Sequence, residues 1–262
     1  MRVIRFTPKP GSDLGSDPLF GLIEDDNQTV SVINGDPLFN GIAKNGQTTK
    51  LEDIRLLAPV LPRSKVVCVG KNYSDHAKEM GGDVPTEPVI FLKPNTTVIG
   101  DGDFIVLPPQ STNVHHEAEL AIVIGALAKN VEIDRADEVI FGYTCANDVT
   151  ARDLQNSDQQ WTRSKSFDTF CPLGPWIETE LEPENLGISC QVNGVTKQDG
   201  NTSDLVRSAR EMVSWISHMM TLLPGDVILT GTPAGVSSIV SGDSVSVTIE
   251  DIGTLTNSVT VR

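Results

Sequence analysis

Glu117 and Glu119 stand two residues apart at the head of the apolar run Glu117-Ala118-Glu119-Leu120-Ala121-Ile122-Val123-Ile124. In an extended chain such residues share a face, so both carboxylates project to one side while Ala118, Leu120, Ile122 and Ile124 project to the other. A Glu-x-Glu pair ordinarily lies on an exposed strand face, because charged side chains are mostly exposed. At the entrance to so apolar a strand, the two would raise each other's pKa or call for a cation between them. A second β-like run leads through Gly142-Tyr143-Thr144-Cys145-Ala146 into Asn147-Asp148. It sets a third acid at a strand end, where functional groups tend to project, although Asp148 alone would read as a turn or helix cap. Two glutamates and an aspartate form an all-oxygen donor set suited to Mg²⁺ or Mn²⁺. His115 and His116 directly precede them, so residue types alone leave Zn²⁺ open, and parity puts only His115 on the glutamates' face.

His76 and Glu79 form a second constellation. The stretch from Tyr73 to Met80 reads as a short helix, on which residues three apart share a face. A histidine held by a carboxylate has the tautomer and basicity to activate water, and the same spacing is equally common in surface ion pairs. The following Gly81-Gly82-Asp83-Val84-Pro85 predicts a flexible segment, as a closing lid requires.

The elements that must carry these residues are mostly strands. Met1 to Phe6, Phe20 to Glu24 and Thr29 to Ile33 alternate or are β-branched, with Lys9-Pro10-Gly11 and Asn34-Gly35-Asp36 between them. Further strands are expected over 65–69, 88–92, 117–124, 139–146, 188–192, 226–230, 245–249 and 254–261. One long helix is expected from about Ser203 to Leu222, with Thr202 or Ser203 as N-cap and Pro224-Gly225 beyond its end. Many strands with few helices and no regular βαβ alternation predict a mixed, β-rich α+β fold. A small β-rich N-terminal region over 1–60 would precede a catalytic domain over 61–262. Neither GxGxxG nor GxxxxGK[ST] occurs, so a nucleotide cofactor has no support.

The 262 residues are 39% hydrophobic and carry a net charge of −15, which supports a real core and argues against nucleic acid as a partner. No run approaches the roughly 20 apolar residues of a membrane span. The first residues hold Arg2 and Arg5 but turn polar at Thr7, without a signal-peptide core. Cys68, Cys145, Cys171 and Cys190 are scattered through apolar or β-like segments, as buried reduced thiols are. The expectation is a soluble, cytoplasmic protein without membrane partners.

Six motifs in order resemble the fumarylacetoacetate hydrolase family, from about Lys65 to the C-terminus. They are VGKNYSDH at 69–76, EPVIFLKP at 87–94, HHEAELAIVIG at 115–125, NDVTARD at 147–153, WTRSKSFDTFCPLGPW at 161–176 and GDVILTGTPAGV at 225–236. The resemblance implies a sandwich- or roll-like β-rich catalytic domain that binds Mg²⁺ or Mn²⁺ through Glu117, Glu119 and Asp148. It also implies a homodimer or an assembly of dimers. His76 and Glu79 match the family's water-activating pair on a mobile lid, and Lys165 matches its active-site lysine. Gln155 and Thr232 match positions near the substrate carboxylate. Arg152 is placed either to bind substrate or to brace Asp148, while Gly231 and Gly235 read as turn residues.

Such a site implies a small 2-oxo acid as substrate and cleavage of a C–C bond through a metal-bound enolate. Oxaloacetate decarboxylation is the favoured reaction. Acylpyruvate hydrolysis of the fumarylpyruvate type and isomerisation of 2-hydroxyhepta-2,4-diene-1,7-dioate are the alternatives. A metal-stabilised protein without catalysis would keep the three carboxylates but would need neither Lys165 nor the His76–Glu79 pair.

Overall fold

The computed structural model describes residues 1–261. β-Branched and aliphatic runs build two large sheets, beside a two-stranded ribbon of Val114–His115 with Thr150–Ala151. In the larger, twelve-stranded sheet the main path runs Lys44–Lys50, Thr29–Ile33, Leu19–Ile23, Arg2–Pro8, Cys171–Glu178, Ile140–Asn147, Ala118–Ile124, Val227–Leu229, Val66–Gly70 and Val89–Lys93. The five-stranded sheet runs Val195–Asn201, Gly187–Val192, Ser244–Ile249, Gly253–Val261 and Phe104–Leu107.

Ala118–Ile124 is buried on both faces. Leu120, Ile122 and Ile124 pack with Ile188, Val245, Val247 and Leu255 of the smaller sheet. Ala121 and Val123 face a second cluster with Val66, Cys68, Leu173 and Leu229. The β-rich content is what the strand pattern predicts, and the packing of one sheet on the other is the sandwich-like arrangement that the family resemblance implies. All four cysteines are free and buried, as expected. Among the described residues, no helix is long and apolar enough to cross a membrane.

Arg2–Pro8 pairs antiparallel with Cys171–Glu178, so the N-terminal strands continue the sheet that carries the acidic residues. Cys171–Glu178 itself escapes the sequence pattern. Pro172, Gly174 and Pro175 are poor strand formers, and its pairing with Ile140–Asn147 shifts register between Tyr143 and Cys145. The edge strand Lys44–Lys50 is polar almost throughout and carries no apolar alternation to read.

The long helix is shorter than the expected span from Ser203 to Leu222. It covers Ala209–Met219, with Ser208 as N-cap in a capping box with Glu211. Thr202–Asp204 form a separate 3-10 turn capped by Asn201, Leu205 forms an isolated bridge to Tyr73, and the Val206 N–H donates to the Asn72 carbonyl, so this stretch does not continue the helix. Apolar periodicity alone could not separate these from helical positions. The short helix of the His76 segment spans Ser74–Glu79, flanked by Tyr73 and Met80 as expected.

Candidate metal centre

Register brings the three acids together. Ala118 pairs with Asn147 across the two central strands. The Asn147 side-chain oxygen accepts the Glu117 N–H at 2.9 Å, and the Asp148 N–H donates to the Glu117 carbonyl at 2.8 Å. Glu117 lies just before the strand and Glu119 within it. One carboxylate oxygen from each of Glu117, Glu119 and Asp148 lies within 4.8 Å of the others, and all three residues are buried.

Buried carboxylates demand compensation, and three cations supply it to Glu117 and Asp148. Lys165 Nζ donates to Glu117 Oε2 and to Asp148 Oδ2, each at 2.7 Å. Arg152 donates to Glu117 Oε1 and to Gln155 Oε1. Arg152 therefore braces Glu117, whereas the sequence offered Asp148 or substrate as its partner. Lys93, fully buried, donates to Asp148 Oδ1 and, at 3.2 Å, to the Val149 carbonyl.

The two glutamates are tuned in opposite directions. Burial pushes the Glu117 carboxyl up, but Lys165 and Arg152 outweigh it and hold the group well below the usual carboxylate range. Glu119 is pushed well up by burial, with Asp148 and Glu117 adding to the shift. It accepts one backbone N–H, from Gly231 at 2.6 Å. Burial pushes Lys165 down, yet Asp148 and Glu117 prevail and raise it, so its ammonium is charged.

Gly231 does more than turn the chain. Its φ is +102°, and an added Cβ would meet the Asn72 Cβ at 2.9 Å. Only glycine brings the Gly231 N–H onto Glu119 without displacing Asn72. Gly235 likewise holds a turn conformation, with φ +101°.

The triad opens into a cavity of about 190 Å³ lined also by His76, Arg152, Gln155, Lys165, Thr232 and Phe91. Of the nine residues to which the family resemblance gives a catalytic, substrate-binding or metal role, Glu79 alone does not line it, and His115, His116, Gly231 and Gly235 lie outside it as well. Glu79 stands behind His76, its Oε2 3.0 Å from the His76 Nδ1, and this leaves Nε2 as the nitrogen available to the cavity.

The histidines beside the triad are engaged elsewhere. His115 Nε2 pairs with the Asn113 side-chain oxygen at 3.0 Å, and His116 is fully buried between Gln198 and Ser237. Neither joins the cluster of candidate ligands, so the parity that put His115 on the glutamates' face does not make it a ligand. The donor set is three carboxylates, and it fits a hard, oxygen-seeking divalent cation.

Sequence reasoning missed Lys93 and Gln198. Lys93 had a signal. In the strand Val89–Lys93 it shares parity with Phe91, which lines the cavity, so a lysine on that face points inward. Gln198 had none, since it lies in a mostly exposed strand of the other sheet.

Residues 65–260 match the family described as fumarylacetoacetate (FAA) hydrolase, C-terminal, and residues 1–59 match one described as Rv2993c-like, N-terminal. The chain is 45% identical over 219 residues to the human mitochondrial oxaloacetate tautomerase FAHD2A, covering 79% of this chain and 70% of that one. It also resembles the crystal structure of 2-hydroxyhepta-2,4-diene-1,7-dioate isomerase from Mycobacterium marinum, at 49% identity and a TM-score of 0.89, over 100% of this chain and 99% of that one. Fumarylpyruvate hydrolase from Pseudomonas aeruginosa, solved in complex with Mn²⁺ and pyruvate, is 32% identical with a TM-score of 0.73, over 79% of this chain and 92% of that one.

Proposed function

This chain belongs to the fumarylacetoacetate hydrolase family, and on that premise we propose that it is a Mg²⁺- or Mn²⁺-dependent enzyme that decarboxylates oxaloacetate. The observation that carries the reading is the buried triad of Glu117, Glu119 and Asp148, opening beside Lys165 into a small cavity. These three carboxylates would hold the cation. When bound, it supplies Lewis acidity to the carboxylate and 2-oxo oxygens of a 2-oxo acid.

The chain's own groups supply the rest. In decarboxylation the C3–C4 bond breaks, its electron pair moves into C2–C3, and the 2-oxygen takes on negative charge. The Lys165 ammonium, fixed by two carboxylates and 4.9 Å from the centre of the Phe91 ring, is the cation placed for that charge. Gln155 and Thr232 present polar groups to the substrate carboxylate, and Arg152 orients both Glu117 and Gln155. Oxaloacetate as substrate draws support from the name of the human relative. Association as a homodimer is part of the proposal, and light scattering of the purified protein reads it directly.

A second reading is favoured by the His76–Glu79 pair, which decarboxylation does not require. A base at His76 would take a proton from C3 in keto–enol tautomerisation, or from water in acylpyruvate hydrolysis. One assay panel separates the readings. Oxaloacetate and acetylpyruvate are offered with and without Mg²⁺ or Mn²⁺, while pyruvate formation and the enol absorbance are followed together. Pyruvate from oxaloacetate supports the first reading. Enol exchange without pyruvate, or cleavage of acetylpyruvate alone, replaces it with the second.

A further inference from the structure

Thr232 reaches the cavity from one side, and behind it lies a hydrogen-bonded chain whose polarity is fully determined. Gln198 Oε1 accepts the Ala118 backbone N–H at 3.0 Å. A backbone N–H can only donate, so this atom is the amide oxygen, and the other is the amide nitrogen. That nitrogen donates both hydrogens, one to the Pro233 carbonyl and one to Thr232 Oγ1, each at 2.7 Å. The same Oε1 faces His116 Nδ1 at 3.0 Å, so Nδ1 carries the imidazole proton, and Nε2 accepts from the Ser237 hydroxyl at 2.9 Å. Gln198 and His116 are both fully buried, so neither can exchange these partners for water.

The consequence falls on Thr232. Its oxygen already accepts from Gln198, and among the described residues no other hydrogen bond is made at Oγ1. Its one hydroxyl proton is therefore left to donate into the cavity that Thr232 lines. A threonine free to rotate could either donate or accept. Here one of the two lone pairs is taken by Gln198 while the proton is unclaimed, which favours donation and suits an anionic oxygen better than a ligand that brings its own donor.

We infer that Gln198, carried on the smaller sheet and braced by His116, is a positioning residue that fixes the Thr232 hydroxyl as a hydrogen-bond donor to the carboxylate of a 2-oxo acid. The inference rests on the reading of the cavity as a 2-oxo acid site. Gln198 sets specificity without touching the ligand, and acts only through Thr232.

Gln198→Glu tests this in the whole protein. The carboxylate keeps acceptors for Ala118 and His116 but has no N–H for Thr232, so the threonine hydroxyl turns to donate to Glu at this position and its cavity donor is lost. The probe is oxalate, whose equilibrium binding to the Mn²⁺-loaded protein is measured by calorimetry. Wild type, Gln198→Glu, Thr232→Val, the double variant and Thr232→Ser are compared, with Gln198→Leu as an uncharged second variant. A hydrogen bond to a charged group is worth about tenfold or more in affinity. Gln198→Glu and Thr232→Val should each weaken oxalate binding by about that factor, and Gln198→Leu, which frees the hydroxyl to rotate without removing its proton, should weaken it less. Thr232→Ser should retain it, and in the Thr232→Val background the Gln198 substitutions should add nothing.

Effects that multiply in the double variant would overturn the inference, because Gln198 would then act by its own charge or through the fold. Unchanged binding in both Gln198 variants would overturn it as well. Wild type that binds oxalate but does not turn over oxaloacetate overturns the proposed reaction, and the variant comparison still decides the role of Gln198. Wild type that does not bind oxalate overturns both.

Discussion

The carboxylate of Glu79 holds the imidazole of His76, its Oε2 3.0 Å from Nδ1, while its Oε1 accepts the Gly235 N–H at 3.0 Å. One side chain thus orients the cavity-facing histidine and ties its helix to the loop that carries Thr232. Losing a general base costs on the order of 10²–10⁴ in rate. His76→Ala should suppress any acetylpyruvate hydrolysis by that factor and reduce oxaloacetate decarboxylation much less. Both rates are measured in the same variant with bound metal checked. An equal large loss in both would assign His76 to a shared step such as lid closure.

Activity should vanish on exhaustive chelation and return with Mg²⁺ or Mn²⁺. Glu117→Ala should remain folded and bind Mn²⁺ on the order of a hundredfold or more weakly, since even partners one step removed from a metal cost 10- to 100-fold. Electron paramagnetic resonance of free Mn²⁺ reads the affinity without an assay of turnover. Undiminished Mn²⁺ affinity in Glu117→Ala would remove Glu117 from the donor set.

Lys93 is expected to matter for stability as well as for the site. It lies fully buried against Asp148, and breaking a buried pair leaves an uncompensated charge at a cost of about 3–5 kcal/mol. Lys93→Met, which keeps the length of the chain, should lower the melting temperature markedly. The double variant Lys93→Met with Asp148→Asn should recover part of the loss, because the Asp148 anion goes with its partner while Lys165 keeps Glu117. Thermal unfolding of the three proteins decides it. A double variant less stable than either single one would mean that the pair is not the source of the effect.

The four thiols should be silent in the native protein. Burial pushes Cys145, Cys171 and Cys190 up to about 12, and Cys68 well above its ordinary value. At pH 8 about one in ten thousand of such groups is a thiolate, and the thiolate is the reacting form. Ellman's reagent should detect none of them within minutes and all four in guanidinium. Prompt reaction of any native thiol would show that its strand opens far more readily than its packing implies.

Much of the candidate site is legible in the chain because it is local. Glu117 and Glu119 are fixed by a period of two in one apolar strand, His76 and Glu79 by one turn of helix, and Asp148 by its place at a strand end. The β-rich fold follows from the same alternation. The structure then shifts what depends on partners. The helix begins at Ala209 because Ser208 and Glu211 cap it and because Leu205 and Val206 are tied to Tyr73 and Asn72 instead.

Other features are decided only by tertiary structure. Arg152 reaches Glu117 across 35 positions, Lys93 reaches Asp148 across 55, and Gln198 reaches His116 across 82. Hydrophobic period tells which face of a strand is buried, but it does not say which strand lies alongside or in what register. Each of these pairings joins strands, or segments flanking them, whose proximity comes from sheet order and from one sheet packing on the other. The sequence by itself thus determined which acids could gather around a cation. Only the folded chain decided which cations balance those acids, and which buried amide fixes the direction of the Thr232 hydroxyl.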